Sequence, residues 1–186
     1  MNFKKISFNS PVILIFTALC FFAFAANIVT SGGANRLFFS VYNSSLTSPL
    51  TYFRFIGHVF GHADWAHLSS NIVMILLLGP LLEEKYGAAK ISIVMVITAV
   101  VTGIINFFIF RNTALLGSSG IVFTFIILSS FTGTRNGKIP ITFILIAIIY
   151  IGGQIYDGIF LRDNISNITH IVGGIVGGVC GFLLKK

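Results

Sequence analysis

The chain has little charge. Of its 186 residues, 9% are Asp, Glu, Lys or Arg, whereas 55% are hydrophobic. A soluble domain normally carries about 25% charged residues, so this composition excludes an ordinary soluble domain and indicates an integral membrane protein without a second sizeable domain. The basic residues behind the formal net charge of +7 form no patch or run, and we therefore expect no nucleic-acid partner.

Acidic residues are especially scarce, and none lies in the middle of an apolar stretch. The five are Asp64, Glu83, Glu84, Asp157 and Asp163. An intramembrane aspartyl protease needs two facing carboxylates within the membrane, and a zinc protease of the His-Glu-x-x-His type needs a Glu beside its ligands. The Glu83–Glu84 pair lacks the Arg that prenyl-protein proteases carry four residues later, because position 88 is Ala. These three classes are excluded.

The two cysteines, Cys20 and Cys180, lie in apolar segments and establish nothing about disulfides.

Apolar stretches predict an all-α, polytopic bundle of about six transmembrane helices. They lie at 11–30, 67–82, 91–110, 114–133, 139–156 and 168–184, and several approach the lower length limit of ~17 residues. Residues 1–10 would be a short cytoplasmic tail, and 11–186 one six-helix domain. The first stretch could also be a cleavable signal peptide, since it contains Ala-x-Ala at Ala23–Ala25; we favour a retained helix because the apolar run continues to Val29. Residues 31–66 are too aromatic for a plain solvated linker and are expected to lie partly in the membrane interface.

Basic residues predict the orientation of the chain. With a cytoplasmic N-terminus, that side receives Lys4, Lys5, Lys85, Lys90, Arg135, Lys138, Lys185 and Lys186, and the outside receives Arg36, Arg54, Arg111 and Arg162. The positive-inside rule favours this arrangement. All four histidines then fall toward the outer half of the membrane.

Polar residues inside membrane spans are expensive and usually functional. His67 and Asn71 are four apart at the start of the second span, so they share one helical face. Ser118 and Ser119 open the fourth span, and His170 opens the sixth. Counted from the cytoplasmic ends of their spans, His67, Ser119 and His170 each lie about 22–24 Å above the inner boundary of a hydrocarbon layer about 30 Å thick. Three helices therefore place a polar side chain at one level.

Glycines predict which of these helices meet. Gly173, Gly174, Gly177 and Gly181 follow His170 at helical spacing, and Gly120 and Thr124 form a smaller notch on the fourth span. Small faces let membrane helices approach closely, which would bring His170 against Ser119. Neutral imidazole can take the proton of a serine hydroxyl, and backbone N–H groups at a helix start can stabilise an oxyanion. Without a carboxylate at that depth, the pair would be a Ser–His dyad.

Each feature also has a structural interpretation. Serines at a helix start are more often N-caps than nucleophiles, glycine-rich spans more often serve packing, and Asn71 could simply join two helices. His58, His62 and His67 could form a weak metal site or lie in the interface. We expect no metal site and no cofactor, and His170 is the residue hardest to explain structurally.

Taken together, residues ~50–186 resemble the rhomboid family of intramembrane serine proteases. The family's Gly-x-Ser-Gly appears as Gly117-Ser118-Ser119-Gly120, its His-x-x-x-Asn as His67 to Asn71, and its His-x-x-Gly-x-x-x-Gly as His170 to Gly177. Arg54, His58 and His62 fall where members carry a loop arginine and two histidines, and Glu83 falls where a glutamate closes the second span. The sequence departs from the common pattern at Phe123 (often Tyr), Thr169 (often Ala) and Phe53 (often Trp).

The resemblance implies a six-helix fold and a function. Ser119 and His170 would be catalytic; His67, Asn71 and the Ser118 N–H would stabilise the oxyanion; Gly117, Gly120, Phe123, Gly173 and Gly177 would support the site. The fifth span, with Pro140, Gly152 and Gly153, resembles the mobile helix past which substrate enters. Substrates would be single-pass membrane proteins cleaved within the lipid bilayer of a bacterial-type plasma membrane, with the site toward the outer face. Ser118→Ala is expected to largely spare activity.

Two other functions remain open from the sequence. An inactive rhomboid-like protein could bind transmembrane segments for quality control or trafficking, although such proteins typically lack the serine or the histidine. A small transporter could use the polar layer as its substrate site. The oligomeric state, the substrate, and the roles of His58 and His62 are not predicted.

Overall fold

The chain forms a bundle of helices. A computed structural model describes residues 9–132 and 164–184, together with positions 141, 142, 144, 145, 148, 149 and 152. Its helices are α1 (Pro11–Val29), α2 (Gly33–Leu37), α3 (Pro49–Gly57), α4 (Trp65–Tyr86), α5 (Ala88–Ile109), α6 (Ser119–Ser130) and α7 (Asn164–Leu184), with a 3₁₀ turn at His58–Phe60 after α3. Within this described part, extended pairing is confined to one antiparallel bridge between Val41 and Leu115. The predicted all-α class is confirmed.

Within the part of the chain that the structure describes, four helices are long and apolar enough to cross a membrane. They are Pro11–Val29, Trp65–Tyr86, Ala88–Ile109 and Asn167–Leu184, and α6 is a shorter apolar helix. Large apolar side chains cover their outer surfaces, such as Phe22 at 67% exposure and Leu183 at 78%. An exposed apolar surface of this extent is typical of contact with lipid. The protein is therefore a multi-pass membrane protein. Of the predicted fifth span, 139–156, the structure describes only the separate positions 141, 142, 144, 145, 148, 149 and 152, and most of the predicted tail, 1–10, lies outside the described residues.

The fourth predicted span starts later than expected. The sequence predicts a span from residue 114, but α6 begins at Ser119. Gly117 has φ +119, a conformation that side chains rarely adopt and that breaks a helix. Leu115 exchanges two backbone hydrogen bonds of 2.9 Å with Val41. Residues before Gly117 are thus held in a loop by a partner more than seventy positions away, which apolar periodicity does not reveal.

Carboxylates fix two helix starts. The Asp64 side chain accepts a hydrogen bond of 2.8 Å from the His67 N–H and caps α4. Glu83, 5% exposed, accepts from the N–H groups of Val12 and Ile13 at 3.2 and 3.1 Å. These N–H groups have no acceptor within α1, and the carboxylate beside them also complements the helix dipole. Glu83 thus ties the end of α4 to the start of α1.

The core lies between α1, α4, α5, α6 and α7. Its fully buried side chains include Ile13, Cys20, Leu68, Ile75, Leu82, Ile91, Phe125 and Leu128. Residues 30–64, which we call the connecting segment, form α2, α3 and the 3₁₀ turn. Within this segment α2 packs against α1, α3 packs against α5, and the 3₁₀ turn contacts both. Arg54 of this segment is 6% exposed; its Nε donates to the Leu37 carbonyl at 2.9 Å and its guanidinium lies 4.5 Å from the centre of the Tyr42 ring. A segment predicted to be partly interfacial therefore has a fixed structure.

Candidate active site

Ser119 is the first residue of α6, where the backbone N–H groups of the first turn lack acceptors within the helix. Ser119 is half-buried. The first bond within the helix joins the Val122 N–H to the Ser118 carbonyl at 3.0 Å, so the N–H groups of residues 119–121 have no acceptor inside the helix. Ser118 occupies the N-cap position, yet its side chain makes no capping hydrogen bond. The Ser118 side chain therefore does not act as an N-cap, which was the structural interpretation open for serines at a helix start.

Two side chains of α4 converge on the turn before Ser119. A Cβ built on Gly117 would lie 2.6 Å from His67 Nε2 and 3.8 Å from Asn71 Nδ2. Only glycine leaves room for these groups beside the backbone. Asn71 is 6% exposed, and among the described residues its buried Nδ2 has no acceptor. A buried donor without a partner is rare and costs about 1–3 kcal/mol, so this atom is suited to an acceptor that arrives with a ligand.

Glycines set the contact between α6 and α7. A Cβ on Gly173 would lie 2.2 Å from the Gly120 carbonyl oxygen, and one on Gly177 would lie 2.5 Å from the Thr124 carbonyl oxygen. Both contacts advance by four residues, so the two helices run in the same direction. The predicted packing of the glycine face on the fourth span is confirmed at these positions. Gly174 differs, since among the described residues its Cβ would meet nothing nearer than Ile127 at 3.7 Å.

This register carries His170 to the start of α6. His170 lies one turn before Gly173, level with the turn at Gly117. Its ring stacks on Phe123, with centroids 4.2 Å apart and planes within 8°, so the phenylalanine that departs from the common pattern still packs on this histidine. Phe123 follows Ser119 by one helical turn and shares its face. The half-buried imidazole is thus placed on the side of α6 that carries Ser119, while Thr169 next to it is 6% exposed.

Polar residues of α5 are not among those predicted from the sequence. Thr98 Oγ1 lies 3.1 Å from Thr124 Oγ1, and Thr102 Oγ1 lies 3.3 Å from His58 Nε2. Asn106 Nδ2 donates to the Val41 carbonyl at 3.0 Å. Their spacing of four places all three on one face of an otherwise apolar helix, and this spacing is the sequence signal that could have identified them. They connect α5 to α6 and to the connecting segment.

His58 and His62 hold the turn before Ser119 from the other side. The Gly117 N–H donates to the His58 carbonyl at 2.9 Å, and His62 Nε2 lies 3.3 Å from Ser118 Oγ. Burial lowers the pKa of each histidine to about 4; the neighbouring His67 also lowers that of His62. Both rings are therefore neutral near pH 7. Within the described residues, no three His, Cys, Asp or Glu side chains are grouped to hold a metal ion.

Together these features define a class: a polytopic helical membrane protein with a serine, histidines and an asparagine gathered at the start of a short helix. The family profile described as "Rhomboid domain" matches residues 49–186. The chain belongs to the rhomboid family, as the resemblance in its motifs implied.

Several relatives cover much of the chain at low identity. Rhomboid-like protein 11, chloroplastic, of Arabidopsis thaliana is 29% identical over 73% of the chain and 53% of its own length. Rhomboid protease GlpG of Haemophilus influenzae is 23% identical over 96% of the chain and 93% of its own length. Rhomboid protease GluP of Bacillus subtilis is 27% identical over 86% of the chain. The chain spans about half of the Arabidopsis protein and 31% of GluP.

Proposed function

We propose that this protein is an intramembrane serine endopeptidase that cleaves transmembrane segments of membrane proteins, with Ser119 as nucleophile and His170 as its base. The observation that carries the proposal is the register of α6 and α7. Gly173 against Gly120, together with the stacking of His170 on Phe123, puts the imidazole on the Ser119 face of α6. Relatives named rhomboid proteases support the same activity.

The dyad would work in two half-reactions. His170 takes the proton of the Ser119 hydroxyl as Oγ attacks the scissile carbonyl carbon, and the carbonyl π pair moves onto oxygen. The tetrahedral intermediate collapses, the C–N bond breaks, and the imidazolium gives its proton to the leaving amine. His170 then takes a proton from water, whose oxygen attacks the acyl ester, and the released Ser119 oxygen regains a proton. The steps use no cofactor.

The oxyanion would be stabilised by donors that converge at the turn. Uncapped N–H groups at the start of α6, including that of Ser119, are aided by the helix dipole, and the backbone N–H of Ser118 would join them. Asn71 Nδ2, buried without an acceptor among the described residues, would gain its partner when the charge forms, and His67 lies beside it. Donors that are satisfied only in the intermediate favour the transition state over the substrate.

Orientation and substrate complete the proposal. Domain 11–186 would lie in a bacterial-type plasma membrane with its N-terminus in the cytoplasm, since this orientation places most of the basic residues on the cytoplasmic side. The site would then lie toward the outer face. Single-pass membrane proteins would be the substrates, as the resemblance to the family implies.

The experiment is cleavage of a model transmembrane substrate in proteoliposomes. Ser119→Ala and His170→Ala should each lower kcat by about 10⁴-fold or more, as removal of a nucleophile or base does. Ser130→Ala is the matched control, because this buried serine at the other end of α6 bonds its own helix at the Ile127 carbonyl, and it should retain activity. Undiminished cleavage by Ser119→Ala would contradict the assignment.

Covalent labelling separates the protease from a binding protein. A fluorophosphonate should label Ser119 in the parental chain and should fail to label His170→Ala at a comparable rate, because the hydroxyl then lacks its base. An inactive rhomboid-like protein that only binds transmembrane segments would take up substrate and remain unlabelled. A transporter would give flux across liposomes and no labelling.

A further inference from the structure

Ser118 has an unusual role for a serine at the start of a helix. At the N-cap position, serine normally accepts a hydrogen bond from the backbone N–H two or three residues later. Ser118 is fully buried and makes no such bond. Its hydroxyl lies instead 3.3 Å from Nε2 of His62, which belongs to the connecting segment. The side chain that could cap α6 is directed away from the helix.

The direction of this hydrogen bond follows from the other nitrogen of the ring. His62 Nδ1 lies 3.1 Å from the Phe60 carbonyl oxygen, which can only accept, so Nδ1 carries the proton. In the neutral ring Nε2 is then an acceptor, and the Ser118 hydroxyl must be the donor. Ser118 thus donates its one hydroxyl proton in the hydrogen bond to His62.

His62 is itself held rigidly. Its ring is fully buried, and the Asn35 side-chain N–H donates to its backbone carbonyl at 2.9 Å. The ring also contacts His67 edge to face, with centroids 5.1 Å apart. One imidazole therefore touches both the turn before Ser119 and a side chain proposed to bind the oxyanion. A fixed neighbour of this kind can transmit its position to the turn.

We propose that Ser118 is a positioning residue: by donating its hydroxyl to His62, it fixes the turn that presents the α6 N–H groups and leaves those groups uncapped for the oxyanion. This inference rests on the proposed function and deepens it. One residue earlier, the Gly117 N–H donates a hydrogen bond of 2.9 Å to the His58 carbonyl. The connecting segment therefore bonds this turn at two points. The hydroxyl of Ser118, expected from the sequence to be dispensable, thereby acquires a function.

Kinetics of Ser118→Ala in proteoliposomes test this role. We expect kcat to fall about tenfold with KM for the transmembrane substrate unchanged, a smaller loss than the 10²–10³-fold typical when an oxyanion donor itself is removed. Ser118→Thr, which keeps a hydroxyl, should recover part of kcat. Ser130→Ala, a buried serine on the same helix, should match the parental chain. Parental kcat in Ser118→Ala would overturn the role, as would a loss confined to KM.

A double-mutant cycle identifies the partner. If Ser118 acts through His62, then Ser118→Ala and His62→Leu combined should lower kcat no more than His62→Leu alone. If the losses in kcat of the two single variants multiply in the double variant, the proposed action of Ser118 through His62 is overturned. If the parental chain cleaves no substrate, the proposed function is wrong, and this inference is wrong with it. If the parental chain cleaves, Ser119→Ala does not, and Ser118→Ala matches the parental chain, only the role of Ser118 is overturned.

Discussion

The two sides of the proposed site are held by different means. On one side the connecting segment meets α5 and the turn before Ser119 through several hydrogen bonds, such as Thr102 with His58 and Gly117 with His58, beside apolar packing such as Phe55 on Phe107. On the other side α7 meets α6 mainly through backbone contact, with Gly173 against the Gly120 carbonyl and Gly177 against the Thr124 carbonyl.

The difference reflects what each side must fix. In lipid there is little hydrophobic drive between helices, so close packing and hydrogen bonds supply the association. Glycine contacts set a distance between two backbones, which suits the approach of a base to a nucleophile. Hydrogen bonds set the direction of a group, which suits donors that must point at a developing charge. We therefore expect the glycine side to fail through steric change and the hydrogen-bonded side to fail through changes in protonation.

Replacing a glycine at the contact should have the largest effect. Gly173→Ala places a methyl group 2.2 Å from the Gly120 carbonyl oxygen, where neither backbone can yield, and α7 must move away from α6. We expect cleavage to be abolished and the free energy of unfolding in detergent to fall by about 3 kcal/mol. Titration with a denaturing detergent and the cleavage assay measure both.

The adjacent glycine provides the matched control. Gly174→Ala has the same gain in helix propensity, but of the residues that the structure describes its methyl group would meet only Ile127, at 3.7 Å. It should retain activity and stability. Equal losses in Gly173→Ala and Gly174→Ala would show that the backbone contact does not decide the approach of the two helices.

Much of this arrangement follows from the sequence because its causes are local. The apolar stretches predicted α1, α4, α5 and α7, and the spacing of glycines after His170 predicted which face of α7 meets α6. The late start of α6 and the partner of Glu83 were not predicted. They depend on the pairing of Leu115 with Val41 and on the reach of Glu83 to the start of α1, and contacts so distant in sequence leave no periodic signal.

Acidification should weaken the hydrogen-bonded side. Burial lowers the pKa of His58 and His62 to about 4 from an ordinary value of 6.5. Between these values the unfolded chain binds protons that the folded chain excludes, so their contribution is complete above pH 6.5 and is lost as the pH falls toward 4. From pH 7 to pH 5, each histidine should lower the free energy of unfolding by about 2 kcal/mol.

Unfolding of the parental chain and of the His58→Gln, His62→Gln double variant at the two pH values measures this loss. Other titratable groups near these rings are His67, which touches His62, and Arg54, whose carbonyl bonds His58; both remain in the double variant. The variant should be less stable at pH 7 but should lose less stability on acidification. The same pH dependence in both proteins would assign it to other groups.

Loss of the Thr124 hydroxyl should have the smallest effect. It tests whether the contact between α6 and α7 also depends on a hydrogen bond. Its fully buried hydroxyl donates to the Gly173 carbonyl at 2.8 Å, so one hydrogen bond crosses the glycine contact. Thr124→Val keeps the shape and removes this bond together with the contact to Thr98 Oγ1, and should lower the free energy of unfolding by about 1 kcal/mol, as such bonds in membranes do. Thr124→Ser, which keeps the donor, should retain the bond, and its kcat should equal that of the parental chain. If Thr124→Val instead costs as much as Gly173→Ala, then α7 is held by a directed bond rather than by close approach, and both sides of the site use the same principle.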